Sequence, residues 1–369
     1  MQWYCWMKMA DRERPGTNGS DAIANLFSDP YRYQHAWAFG GPVIQARFRQ
    51  QPQDFQVREE LSFSLTGEGE HACVLIQKTA ANTEWVARQL AQFAGVSARH
   101  VSYAGLKDRH AVTEQWFSIH LPKRQAPVWE DFAVEGCQIL ETTWNNKKLR
   151  RGALRCNHFR IVLRDCEGEM DQVAGRLDAI RASGFPNYFA EQRFGHHGNN
   201  LAEADKLFAS GKRLRPSHKR GLWLSAARSW LFNRVLDKRI QLNNWQLVMS
   251  GDVAVLQGTH SMFVAADEPD LQSRSERLDI HPSAPLWGAG ENRALGVPAQ
   301  IEQQVLEPFQ DWCNGLEAYK TRMDRRALRC VAQDLELEAA DDSTLVLHFS
   351  LPPGSYATAL LREITFLGT

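Results

Sequence analysis

No two of the seven cysteines, at positions 5, 73, 137, 156, 166, 313 and 330, stand in a C-x-x-C pair. That leaves a structural zinc ribbon or a dithiol redox centre without support. No apolar run is long enough to span a bilayer, and the first residues lack the basic-then-apolar layout of a secretory signal. A cytoplasmic protein with reduced, mostly buried thiols is therefore expected. There is no G-x-G-x-x-G after a strand, no P-loop, no H-E-x-x-H and no G-x-S-x-G. "GHHG" at 195–198 offers adjacent imidazoles but no third ligand at a telling spacing. Neither a cofactor nor a metal is expected. Net charge is missing as well, with 43 basic residues balancing 43 acidic ones. What is present is ordinary for a globular chain: 369 residues, 43% hydrophobic and 23% charged, enough for two compact domains.

The zero net charge hides a segregation. Thr142 to Arg164 holds seven basic residues, Lys147, Lys148, Arg150, Arg151, Arg155, Arg160 and Arg164, and no acid. Lys206 to Arg239, which includes Lys219 and Arg220, holds ten against the single Asp237. Acids concentrate elsewhere, in Asp267–Asp279 and Asp334–Asp342. Such patterning can build a positive groove for phosphates on a neutral protein. Two solvated faces would read the same way.

Residues 1–35 mix clustered aromatics with Pro, Gly, Asn and Ser and hold no period, so they are expected to be a poorly ordered, dispensable extension. Beyond Phe39, strand-like and helix-like segments alternate. "NTEWVARQLAQFAGV" predicts a helix capped by Asn82, with Val86, Leu90 and Phe93 on one face and a stop at Gly95. "TEQWFSIHL" and "HFRIVLR" alternate as half-buried strands. "GLWLSAARSWLFNRVLDKRI" places Trp223, Ala227, Trp230, Leu231 and Val235 on a helical stripe, with Lys238 and Arg239 in the last turn, where they suit the helix dipole. The chain closes with a strand, "TLVLHFSL", a Pro-Pro-Gly turn and a helix, "SYATALLREI".

"YAGLKDRHAVTEQW", Tyr103 to Trp116, sets Asp108 between Lys107 and the Arg109–His110 pair in a short loop that feeds a strand. Cationic neighbours favour the charged form of a carboxyl group, which suits a nucleophile better than a general acid. A solvated charge run is the plain alternative.

The same loop resembles the signature of the TruD family of tRNA pseudouridine synthases. Further segments match that family in order: "PQDFQVREE" with "GEGEH" and "NT" (52–83), "RGALRCNHFRIVLR" (151–164), "PNYFAEQRFG" (186–195), "LDIHPSAPLWGAGE" (278–291) and "LPPGSYATALLRE" (351–363). Ala190 stands where many members have glycine, and only six residues follow Glu363.

The resemblance implies a two-domain α+β fold, with a pseudouridine-synthase-like core built on a mixed or antiparallel sheet. The core comes from both ends of the chain, 36–182 and 332–369, with an inserted α/β domain at 183–331 and a cleft between them. It implies that Asp108 is catalytic, that no cofactor is used, and that the substrate is a uridine of tRNA, at position 13. The C1′–N1 bond breaks, the uracil turns, and a C1′–C5 bond forms. By residue match, Phe55, Phe159 and Tyr356 are the aromatic members of the base site and Asn157 its amide. An extruded uracil needs just such a flat face and such an amide. Lys107 is either an electrostatic partner of Asp108 or solvent-facing. Backbone contacts are expected from Lys147, Lys148, Arg150, Arg151, Arg193, Lys219 and Arg220. Neither a membrane nor a protein partner is implied. Two other activities are compatible with the same residues: nucleosidase-like release of uracil, and RNA binding or chaperoning without catalysis.

Overall fold

The computed structural model describes residues 35–122, 125–211 and 215–368. Residues 1–34, and with them nearly all of the expected extension, lie outside the described residues. So do Lys212 and Arg213 of the second basic window.

A ten-stranded mixed sheet carries the fold. Its strands are β1 (Ile44–Phe48), β2 (Phe55–Leu61), β3 (His71–Thr79), β4 (Val101–Tyr103), β5 (Val112–His120), β6 (Cys137–Asn145), β7 (Leu154–Gly168), β8 (Gln333–Asp341), β9 (Thr344–Leu351) and β10 (Thr365–Gly368). The main path runs β8-β9-β7-β2-β5-β3-β6, with β1 joining β7 to β10 and β4 edging β5. Most pairings are antiparallel, but β2 with β5 and β1 with β10 are parallel. Near the centre lies β7. Its first half pairs with β2, its second half with β1, and β9 lies along its other edge.

The alternation expected of β5 holds only in part, because its other face is covered as well at Ser118. Phe117 and Ile119 are fully buried, and Ser118 is buried behind them because its hydroxyl accepts from the Leu149 N–H. The first helix, α1 (Thr83–Phe93), begins as its cap predicts: Asn82 Oδ1 accepts from the N–H groups of Glu84 and Trp85. It lays Val86 and Leu90 on β3 and β5 in a core of their own. Helix α2 (Met170–Ser183) then leads out of β7.

From Phe185 the chain enters a helical region and returns at Cys330, and the two crossings lie side by side, Phe185–Pro186 pairing antiparallel with Arg329–Cys330. Between them stand α3 (Asn199–Ala209), α4 (His218–Gln241), α5 (Leu271–Glu276), α6 (Gly296–Leu306) and α7 (Gln310–Ala318), with short strands including Val253–Leu256 and Ser283–Leu286. The long α4 differs from the stripe expected of it. Leu224, Ala226, Phe232, Leu236 and Ile240 are buried along with Trp230 and Leu231, because α3, α6 and the strand Ser283–Leu286 pack around it. The final helix is also shorter than expected. It covers only Ala357–Leu361 (α8), after which the chain turns into β10, a strand the pattern did not suggest.

Charge placement corrects the two basic windows. Arg239 does not merely face a helix end: it is buried and grips Asp252 through two nitrogens at 2.9 and 3.1 Å. Arg164 binds Asp54 at 2.8 Å, Arg155 binds Glu60 at 2.9 Å, and Arg228 donates to the carbonyls of Leu286 and Arg322. These cations are spent inside the fold or on its surface pairs. At the other boundary, His35 belongs to the folded body and not to the extension. Its ring meets Asp237 at 3.2 Å, and its carbonyl accepts from Arg362 at 2.8 Å.

Candidate active site

The antiparallel register of β2 and β7 opposes Phe55 to Ile161, Val57 to Phe159 and Glu59 to Asn157. Side chains alternate between faces along a strand, so these six share one face. On the next strand Phe349 stands opposite Phe159, and the two rings stack at 5.2 Å. Phe55 leans on Phe159 with centroids 5.9 Å apart. The result is an aromatic floor held by three neighbouring strands.

Above it sits the loop between β4 and β5, pinned from several sides. Gln115 donates to the Gly105 carbonyl at 2.6 Å, Thr83 Oγ1 accepts from the Lys107 N–H at 3.1 Å, and Lys78 Nζ donates to the Asp108 carbonyl at 3.0 Å. Lys78 is fully buried, and that burial pushes its ammonium down to about 8, against the pull of Asp108. The backbone that presents Asp108 is thus fixed by side chains from β3, α1 and β5.

Lys107 does neither of the two things expected of it. Its ammonium turns into the sheet and pairs with Glu59 at 2.6 Å, with the lysine side chain 6% exposed and the glutamate 0%. Burial pushes the Glu59 carboxyl above its ordinary range, while Lys107 and the Trp116 N–H work against that shift. The cation that meets Asp108 comes from elsewhere. Arg49 Nη2 lies 2.8 Å from Asp108 Oδ2, and its guanidinium covers the Phe55 ring at 3.9 Å. Arg109, the residue after Asp108, donates instead to the Ala80 carbonyl. Nothing in the spacing marks Arg49, 59 residues before the carboxylate it meets. Its left-handed backbone, at φ 58, is a further feature that only coordinates reveal.

A cleft of about 450 Å³ opens over this floor, and its walls include Asp108, Phe55, Asn157, Phe159 and Tyr356. Residues drawn from positions 55 to 356 therefore converge on one space. The Asn157 Oδ1 atom is buried there and accepts no hydrogen bond from any described residue. Tyr356 stands just before α8, placed by the Pro-Pro-Gly turn in which Gly354 adopts φ +82. Its hydroxyl accepts from Arg193 Nε at 3.1 Å. Of the seven expected backbone contacts, Arg193 lines this cleft. Lys148, Arg150 and Arg151 line a separate hollow beside Tyr103, next to Gly152 on the cleft rim. Lys147 and Lys219 are exposed, and Arg220 lies over the Tyr319 ring at 5.4 Å. The imidazoles of "GHHG" fall in a short 3₁₀ turn outside the cleft.

The chain matches the family profile described as tRNA pseudouridine synthase D (TruD) over residues 34–201 and 198–364. A relative named tRNA pseudouridine synthase D from Nitrosococcus oceani is 46% identical over 338 residues, covering 90% of this chain and 94% of its own. One of the same name from Hydrogenovibrio crunogenus is 42% identical, covering 91% and 97%. A crystal structure from Methanosarcina mazei, assigned to the same synthase, superposes with a TM-score of 0.70 at 22% identity over 89% of this chain and 95% of that one. The chain belongs to the tRNA pseudouridine synthase D family, whose members are isomerases with this mixed α+β fold.

Proposed function

We propose that the protein isomerises a uridine of tRNA to pseudouridine, at position 13, with Asp108 as the catalytic residue. The observation that carries this reading is the convergence of Asp108, Phe55, Asn157, Phe159 and Tyr356 on one cleft. A uracil extruded from the RNA stacks on the aromatic floor, and Asn157 reads its polar edge. The buried, unpaired Asn157 Oδ1 suits an N–H of that edge. During the reaction the C1′–N1 bond breaks, the held base rotates and C1′–C5 forms. C5 gives up its proton and N1 ends protonated, so no electrons enter or leave. Attack on the base, attack on the sugar and removal of the 2′ proton are all chemistry for a carboxylate held where Asp108 is. Arg49 orients that carboxylate from one side, and the pinned loop orients it from the other.

We divide the chain into a catalytic body, 35–182 and 332–369, and an inserted domain, 183–331. The paired crossings Phe185–Pro186 and Arg329–Cys330 support that division. RNA then rests on Lys147, Lys148, Arg150 and Arg151 from the body and on Arg193, Lys219 and Arg220 from the insert.

The test uses tRNA tritiated at uridine C5, with enzyme in excess. Tritium release without free uracil is expected, and Asp108→Asn should abolish it while tRNA binding and the thermal melt stay intact. Free uracil would mean nucleosidase chemistry, binding without release would mean a non-catalytic RNA module, and turnover by a folded Asp108→Asn protein would remove Asp108 from the reaction.

A further inference from the structure

The strands that carry the cleft have a second face. Register opposes Glu60 on β2 to Cys156 on β7, and His158 follows Cys156 on the same side, facing away from Asn157 and Phe159. Their donor atoms form a small triangle: His158 Nε2 to Glu60 Oε2 is 2.9 Å, Cys156 Sγ to Glu60 Oε2 is 3.3 Å, and Cys156 Sγ to His158 Nε2 is 3.6 Å. We infer that this triangle is a site for a single divalent transition-metal ion of the zinc type, bound by one thiolate, one imidazole and one carboxylate.

Metal–ligand bonds of about 2.0 Å to oxygen or nitrogen and about 2.3 Å to sulfur, at tetrahedral angles, set the ligand atoms roughly 3.3 to 3.6 Å apart. Two edges already match, and the third needs His158 to open by a few tenths of an ångström. Both outer ligands are supported from behind, as metal ligands are in general. Ser350 lies opposite His158 in the β7–β9 register, and its Oγ meets His158 Nδ1 at 2.8 Å, leaving Nε2 to aim at the triangle. Arg155 holds the other oxygen of Glu60 at 2.9 Å, which keeps Oε2 turned toward the triangle. Solvent reaches the site, since the His158 and Glu60 side chains are 32% and 37% exposed. An ion arriving there takes water as its fourth ligand and displaces the thiol proton.

Among the described residues no other cluster has this property. Spacing conceals it, because Glu60 lies 96 residues before Cys156. A bound ion would clamp β2 to β7 one residue from Glu59 and Asn157, on the side away from the cleft.

Chelator-stripped full-length protein titrated with Co²⁺ should show one equivalent bound, with a near-ultraviolet sulfur-to-cobalt band, and Zn²⁺ should displace it. The band should vanish in Cys156→Ser and persist in Cys5→Ser and Cys137→Ser. Ser350→Ala should weaken binding about 10- to 100-fold without removing the band. One equivalent of Zn²⁺ should also raise the melting temperature of the wild type but not of Cys156→Ser. Failure of the folded wild-type protein to bind one equivalent overturns the inference, whatever the variants do. So does a sulfur-to-cobalt band that survives Cys156→Ser.

Discussion

Arg49 is the residue on which the geometry of Asp108 most depends, since it touches both the carboxylate and the Phe55 ring. Arg49→Met keeps the apolar cover on Phe55 but frees the carboxylate to rotate. Loss of orientation on that scale costs on the order of 100-fold in rate, and single-turnover product formation should fall by about that factor with tRNA affinity nearly unchanged. A rate within twofold of wild type would show that the pinned loop alone suffices. Lys78 acts one layer deeper, through the Asp108 backbone. Its folded value of about 8 lies below the ordinary 10.5, so between those limits the unfolded chain binds more protons than the folded one. Stability relative to Lys78→Met should therefore rise with pH across that window, by up to about 3 kcal/mol, and stay flat below it. Denaturant unfolding of both proteins at several pH values checks the sign. A flat difference would mean that Lys78 is solvated.

At the scale of elements, α4 shows how a helix that reads as amphipathic becomes a central one. Its last turn buries Arg239, which ties Asp252 and the carbonyls of Asn244 and Leu247 to the helix end. Asp252→Ala strands a buried guanidinium and should cost about 3–5 kcal/mol in denaturant unfolding. Replacing both partners with apolar residues of similar volume should recover much of that loss. A cost below about 1 kcal/mol for the single change would show that Arg239 finds water instead. The strands behaved differently. Alternation in the sequence marked β5 and β7, two long strands with a run of apolar residues to bury, whereas β10 has only four residues and takes its place from β1 alongside it.

For the whole molecule the question is where tRNA phosphates lie. Three cations that sequence counted toward a groove, Arg164, Arg228 and Arg239, hold the fold together instead. Arg150, Arg151 and Lys219 remain exposed. Replacing those three with alanine should flatten the slope of log affinity against log salt by about 2 to 3, since each phosphate contact contributes roughly 0.7–0.9. Equilibrium binding across a salt series measures this. An unchanged slope would move the RNA path elsewhere on the surface.

What the sequence determined by itself was whatever depends on short-range pattern. Asn82 caps a helix because its side chain reaches N–H groups two and three residues on, and Asp108 stands in a loop because a strand of clear alternation follows it. The motif around Asp108, with the segments carrying Phe55, Asn157 and Tyr356, was enough to indicate the family. Only the tertiary structure decided which charges meet. Lys107 is adjacent to Asp108 in the chain yet pairs with Glu59, and Arg49 is distant in the chain yet pairs with Asp108. Ion pairs are set by which strands lie side by side and which face each residue takes. In a mixed sheet where β2 borders both β5 and β7, that order follows from long-range pairing, which no local pattern encodes.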